Sequence, residues 1–156
     1  MKHLFLDFDG VISPYAPYKQ KVVDCTSVGG FDISYLEDVV AWVNNKVEDP
    51  EWEVYWLTTW MKKIHHLSVI GVSDKIHVIV PIKYVNPKHG IRWKPDAGIA
   101  KYNKIQYDSP GDLVVWVDDD MKINTHPELP YLHAFVPQEN TGPVSYTHLR
   151  AHETDS

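Results

Sequence analysis

The sequence predicts an α/β fold in which a mostly parallel sheet carries helices on both faces. Three observations predict it. Short apolar runs recur without polar alternation, as in strands buried on both sides. Helical patterns or helix-length gaps separate them, the order that parallel strands and their crossovers require. Several runs end in polar residues, and ligands bind beyond the carboxyl ends of such strands.

The elements follow in order. His3 to Phe8 is apolar up to an acidic end and reads as the first strand. Pro14 to Gly30 is rich in Pro, Tyr and Gly and contains "QKVVDCTSV", which predicts a small hairpin or flap. "SYLEDVVAWVNNKV" (Ser34 to Val47) predicts a helix. Ser34 and Glu37 have capping-box spacing, and Leu36, Val39, Val40, Val43 and Val47 make one apolar stripe. "EVYWLT" (Glu53 to Thr58) is a second strand, and "WMKKIHHLSVIG" a helix that stops near Gly71. "HVIVP" (His77 to Pro81) is a third strand. "KPDAGIAKYNKI" is a short helix with Pro95 in its first turn. "DLVVWV" (Asp112 to Val117) and "YLHAFV" (Tyr131 to Val136) complete five strands. There is no internal repeat. The polar stretch Val144 to Ser156 resembles vector or adapter read-through, so the expected domain is 1–143, followed by a non-native or disordered tail at 144–156.

With 156 residues the chain suits one domain with a real core. It is 44% hydrophobic and 23% charged, which is ordinary for a globular protein. The net charge of -6 argues against broad nucleic-acid binding, which relies on a cationic surface. It leaves room for a small phosphorylated substrate held by a metal ion. The one cysteine, Cys25, excludes an internal disulfide and reads as a plain small side chain. Asp7 and Asp9 interrupt the N-terminal apolar run, and no run approaches the roughly 18 residues of a membrane span. A cytoplasmic location and no membrane partner are expected. The nine histidines show no zinc-binding pattern.

The chemistry gathers at strand ends. Strand one ends in Asp7 and Asp9, strand two in Thr58 and Thr59, and strand four in Asp118, Asp119 and Asp120; Lys94 follows strand three. Carboxylates packed together repel and stay partly protonated. A hard divalent cation relieves this, and Mg²⁺ takes oxygen ligands from carboxylates, water and substrate phosphate. A lysine and a threonine could hold the remaining phosphate oxygens, as phosphoryl transfer requires.

In this order, "LFLDFDGVI", "VYWLTT", "RWKPDAG" and "VVWVDDD" resemble the four motifs of the haloacid dehalogenase-like (HAD) hydrolase superfamily. The resemblance covers residues 3 to about 137. It implies a Rossmann-like three-layer sandwich with sheet order 5-4-1-2-3. It also implies a Mg²⁺-dependent phosphatase that works through an aspartyl-phosphate. Asp7 resembles the nucleophile and Asp9 the general acid and base. Thr58 and Lys94 would hold the phosphoryl group. Mg²⁺ would be bound by Asp7, the Asp9 carbonyl and Asp118, with Asp119 binding or orienting a metal-bound water. Gly10 would allow the tight turn out of the strand. Thr59, Trp60 and Trp93 stand beside these residues as candidate substrate contacts, the indoles as pocket walls that could stack on a base or sugar. Asp9 favours a phosphatase or phosphomutase over a dehalogenase or ion pump. The short insertions imply a capless type whose open site admits a small molecule or a nucleic-acid end.

Other readings stand beside this one. Asp120 reads better as a helix cap than as a ligand. Lys88 and Lys101 compete with Lys94, which is favoured by its place before "PDAG" and beside Trp93. Trp56 and Trp116 read as core. A signalling receiver domain also combines acids, Thr and Lys, but its phosphorylated aspartate comes mid-chain, where this sequence has Thr58. An end phosphatase in RNA or DNA repair and a non-catalytic HAD-like binding module are the alternative functions.

Overall fold

In the computed structural model the described residues are 1–13, 22–28, 30–81, 93–119 and 129–135. The elements run β1 (Lys2–Leu6), β2 (Val22–Val28), β3 (Phe31–Leu36), α1 (Glu37–Glu48), β4 (Trp52–Trp56), a 3₁₀ helix (Met61–Ile70), β5 (His77–Val78), α2 (Trp93–Asp108), β6 (Leu113–Val117) and β7 (Leu132–Phe135). Five of the strands form one sheet in the order β5-β4-β1-β6-β7, and every pairing in it is parallel. The fold is therefore α/β.

The expected order 5-4-1-2-3 counts five strands, which correspond to β1, β4, β5, β6 and β7 of the seven observed. The chain after β1 contributes two further strands, β2 and β3, which pair antiparallel with each other outside the main sheet. This hairpin takes residues that the sequence assigns to the start of a helix. Ser34 does not cap α1. It lies in β3, and its hydroxyl donates to Asp24 Oδ1 across the hairpin at 2.5 Å. Helix α1 follows directly from Leu36 with no side-chain cap, aided by Glu37 and Asp38 in its first turn and Lys46 in its last. The local S-x-x-E pattern favours a helix start, but strand pairing with β2 overrides it.

The side-chain alternation of β1 divides the core. Leu4, Leu6 and Phe8 face one way, onto Val39, Val40 and Val43 of α1 and Leu67 of the 3₁₀ helix. Phe5 faces the other way, with Tyr55, Leu57 and Trp116, against Ala97, Tyr102 and Ile105 of α2. Successive strand residues point to opposite faces, so this central strand is apolar throughout. Leu4, Phe5 and Leu6 are fully buried. Trp56 and Trp116 are core, as the sequence suggests.

The segment after β4 is a 3₁₀ helix rather than an α-helix, and it ends at Gly71, whose φ of 88° only glycine adopts without strain. Pro95 lies in the first turn of α2. Among the described residues, no helix is long and apolar enough to cross a membrane. Lys88, Asp120 and the tail 144–156 lie outside the described residues.

Candidate active site

Strand register assembles the site. Leu6 of β1 stands beside Trp56 of β4 and Val117 of β6. The next residue, Asp7, donates its backbone N–H to Val117 O at 3.0 Å, and Leu57 donates to Leu6 O at 2.8 Å. Asp7 therefore leaves the central strand level with Asp118, with Thr58 one residue beyond Leu57. Asp7, Thr58 and Asp118 are all buried.

Lys94 reaches this point from the first turn of α2. Its Nζ lies 2.9 Å from Asp7 Oδ2 and 2.7 Å from Asp118 Oδ2. The route depends on packing. Lys94, Ala97, Gly98, Tyr102 and Ile105 are the buried residues of α2, at spacings that define one helix face. Gly98 lies flat against the Trp116 indole, and a Cβ there would come within 2.2 Å of the ring. The missing side chain lets α2 approach the sheet closely enough for a lysine one turn earlier to bridge two buried aspartates. Burial works to lower the Lys94 pKa, but the charges of Asp7 and Asp118 outweigh it and hold the ammonium above its ordinary value. Lys94, not Lys101, takes this position; the Lys101 ammonium sits over the Tyr55 ring instead.

Asp119 joins the pair. Carboxylate oxygens of Asp7, Asp118 and Asp119 all lie within 4.8 Å of one another. Burial first, then the charge of Asp7, raises the Asp119 pKa against the effect of a hydrogen bond with Asp118. Gly10 makes this approach possible in two ways. Its φ is +77°, and a Cβ on it would come within 2.5 Å of the Asp119 carboxylate. Its N–H donates to Ser13 O at 2.7 Å, so the observed service of Gly10 is to the turn and to Asp119.

These residues fit a hard divalent cation. All three acidic groups offer oxygen, the donor such ions prefer. Fully ionised, three carboxylates facing one ammonium leave two negative charges in a buried space. Burial is the first cause that raises the Asp119 pKa, and that excess, through the Asp7 charge, is the next to raise it.

Asp9 stands apart from the three-carboxylate group. It is half-buried, and its Oδ2 accepts the indole N–H of Trp60 at 3.0 Å. Burial first, then Asp7, raises the Asp9 pKa; Trp60 and Lys94 oppose this. The Trp60 ring packs edge-on against Phe8, centroids 5.1 Å apart, and lies 5.9 Å from Phe31 at the start of β3. The backbone N–H of Trp60 donates to Thr58 Oγ1 at 3.3 Å.

Beyond Asp9 opens a cleft of about 770 Å³ between the hairpin and the 3₁₀ helix, with Thr59, Trp60, Phe31 and Lys63 in its walls. Of the expected substrate contacts, Thr59 and Trp60 line this cleft. Trp93 does not; it is partly buried against the cluster on the α2 face. Sequence reading missed the partnership of Trp60 with Asp9 and the arrival of Phe31. The available signal for Phe31 was an aromatic residue immediately after a turn glycine.

Comparison of the chain with protein-family models, with curated proteins and with solved structures finds no match. The case for an activity rests on the residues described above.

Proposed function

We propose that the protein is a Mg²⁺-dependent phosphohydrolase of HAD-like type. In this reading a Rossmann-like, capless domain hydrolyses a phosphomonoester through an aspartyl-phosphate on Asp7. The observation that carries the reading is the setting of Asp7. It ends the central strand with Oδ1 accepting the Phe8 N–H at 2.7 Å and Oδ2 accepting from Lys94, and Asp118 and Asp119 stand beside it.

The chemistry follows from these contacts. The Asp7 carboxylate attacks phosphorus, and the ester P–O bond breaks as Asp9 gives its proton to the leaving oxygen. Burial and the nearby Asp7 charge keep that proton on Asp9 at higher pH than an ordinary carboxyl would. Water then attacks the acyl phosphate, Asp9 takes a proton from it, and the bond between phosphorus and the Asp7 oxygen breaks. Inorganic phosphate leaves, and both aspartates return to their starting states. Thr58 Oγ1 already accepts the Trp60 N–H, so its own hydrogen is available to a phosphoryl oxygen. Lys94 neutralises charge on the same group and holds Asp7 in place. Mg²⁺ would be held by Asp7, Asp118 and Asp119, with the Asp9 carbonyl as a further ligand, and when bound it supplies charge neutralisation at the phosphoryl oxygens.

The size of the cleft favours a substantial leaving group, since it far exceeds a phosphate. A nucleotide or nucleic-acid end, with a base against Phe31 or Trp60, is the second reading. The expected location is the cytoplasm. The test is hydrolysis of p-nitrophenyl phosphate with Mg²⁺ and with EDTA, followed by a panel of phosphorylated metabolites and oligonucleotides. Activity should require the metal, and Asp7→Asn should abolish it while the fold survives. Full turnover by that variant would sink the nucleophile assignment. Absence of any metal-dependent hydrolysis would favour a binding module.

A further inference from the structure

We infer that Trp60 is a positioning residue that decides which oxygen of Asp9 delivers the proton. The inference rests on the phosphohydrolase reading. An indole N–H only donates. The Trp60 N–H lies 3.0 Å from Asp9 Oδ2 and holds that oxygen as an acceptor. When Asp9 is neutral this favours the proton on Oδ1, since the carbonyl oxygen of a carboxyl is a better acceptor than its hydroxyl. Oδ1 gives the proton to the leaving oxygen as the ester P–O bond breaks, with the bond's electron pair staying on that oxygen. Oδ1 takes a proton back from water in the second step.

The indole is fixed for this task from three directions. Phe8, fully buried between Asp7 and Asp9 in the chain, packs its ring edge-on against the indole, centroids 5.1 Å apart. Phe31 brings a second ring from the hairpin, 5.9 Å away. Thr58 Oγ1 accepts the backbone N–H. Trp60 therefore ties Asp9 to the strand end that holds Thr58 and to the hairpin at once. A rotating carboxyl would present its proton only part of the time, whereas a held one presents it in one direction. Trp60 also lines the cleft that Asp9 enters, yet its nitrogen is spent on Asp9 rather than on substrate.

The distinguishing measurement is dependence on the leaving group. A poor leaving group needs proton donation, and a good one such as p-nitrophenolate needs little. Trp60→Phe keeps a ring between Phe8 and Phe31 and removes the N–H. Turnover of phenethyl phosphate and of p-nitrophenyl phosphate is compared, with saturating Mg²⁺, in both proteins. General acid catalysis is worth roughly 10²–10⁴-fold, so kcat on phenethyl phosphate should fall about tenfold or more and on p-nitrophenyl phosphate less than about threefold. KM should change little for either. Equal losses on the two substrates would mean a merely structural role and overturn the inference, as would no loss on either. A wild-type protein inactive on both would instead overturn the hydrolase reading, and the inference with it. If Trp60→Phe does not fold, Asp9→Ala with ¹⁵N-labelled tryptophan gives a second readout. One of the six indole N–H signals should move and exchange faster with solvent. Six unchanged signals would overturn the contact.

Discussion

β1 buries ionisable groups at both of its ends, and the two ends differ in how their charges close. At the amino end, His3 Nε2 lies 2.9 Å from Asp112 Oδ2 and Nδ1 lies 3.1 Å from the Tyr55 hydroxyl. A carboxylate only accepts, so Nε2 carries a hydrogen, and in the neutral ring the phenol donates to Nδ1. Burial first, then Glu53 and Asp112, pushes the Tyr55 phenol up to about 12, so it keeps its proton. Both ring nitrogens have partners within the chain. At the carboxyl end, Asp7, Asp118 and Asp119 face Lys94 with negative charge in excess. Burial alone does not mark a functional site. A buried cluster left with net charge and matched donor atoms does, because desolvating charges costs several kcal/mol per ion unless a partner compensates.

The largest effect expected is on the bridging ammonium. Lys94→Met leaves Asp7 and Asp118 buried and facing each other without a cation, and should destabilise the metal-free protein by about 3–5 kcal/mol in urea unfolding. Added Mg²⁺ should restore part of the loss. A cost near zero would mean that the carboxylates find relief elsewhere and would break the contrast between the two ends. Next comes the packing that delivers Lys94. Gly98→Ala drives a methyl into the Trp116 ring and should cost about 1–3 kcal/mol, as overpacking does. It should also slow p-nitrophenyl phosphate hydrolysis, since the turn that carries Lys94 must move away.

Much of this was legible in the sequence where the signal is local. Asp7 and Asp118 announce themselves because apolar runs end abruptly in acid, and parallel register then makes them neighbours. Lys94 could be chosen over Lys101 only by its setting, and the reason for that setting is tertiary: a glycine one turn later against a ring on another strand. The Ser34 capping pattern misled because strand pairing outweighs a cap worth about 1 kcal/mol. Trp60 was legible as a wall and not as a donor, since its partner Asp9 lies 51 residues away. The closed histidine network left no local trace, because His3, Tyr55 and Asp112 meet only when β4 and β6 pair with β1.

The closed end supplies the control for the open one. His3→Phe removes a ring with two partners and should destabilise by about 1–3 kcal/mol, the cost of leaving buried polar groups unsatisfied. The increment in melting temperature caused by Mg²⁺, and turnover, should not change. Loss of either would mean that the two ends are coupled through β1.

The smallest effect should be the most diagnostic, because it should reverse sign with metal. Burial and the Asp7 charge hold the Asp119 pKa above its ordinary value. The native state therefore binds this proton more tightly than the unfolded chain does. The stability of the metal-free protein falls as pH rises from the unfolded pKa through the folded one, and the full penalty is present above the folded pKa. Asp119→Asn removes that titration, so the metal-free variant should melt at or above the wild-type temperature at pH 7, and the difference should vanish in acid. Mg²⁺ should invert the comparison, because a ligand at 100 times its Kd stabilises by about 2.7 kcal/mol and the variant lacks one of the carboxylates proposed to hold the ion. Wild type should then be the more stable protein. A variant less stable than wild type both with and without Mg²⁺ would show that Asp119 is a structural acid like Asp112, and would leave Asp7 and Asp118 alone at the open end.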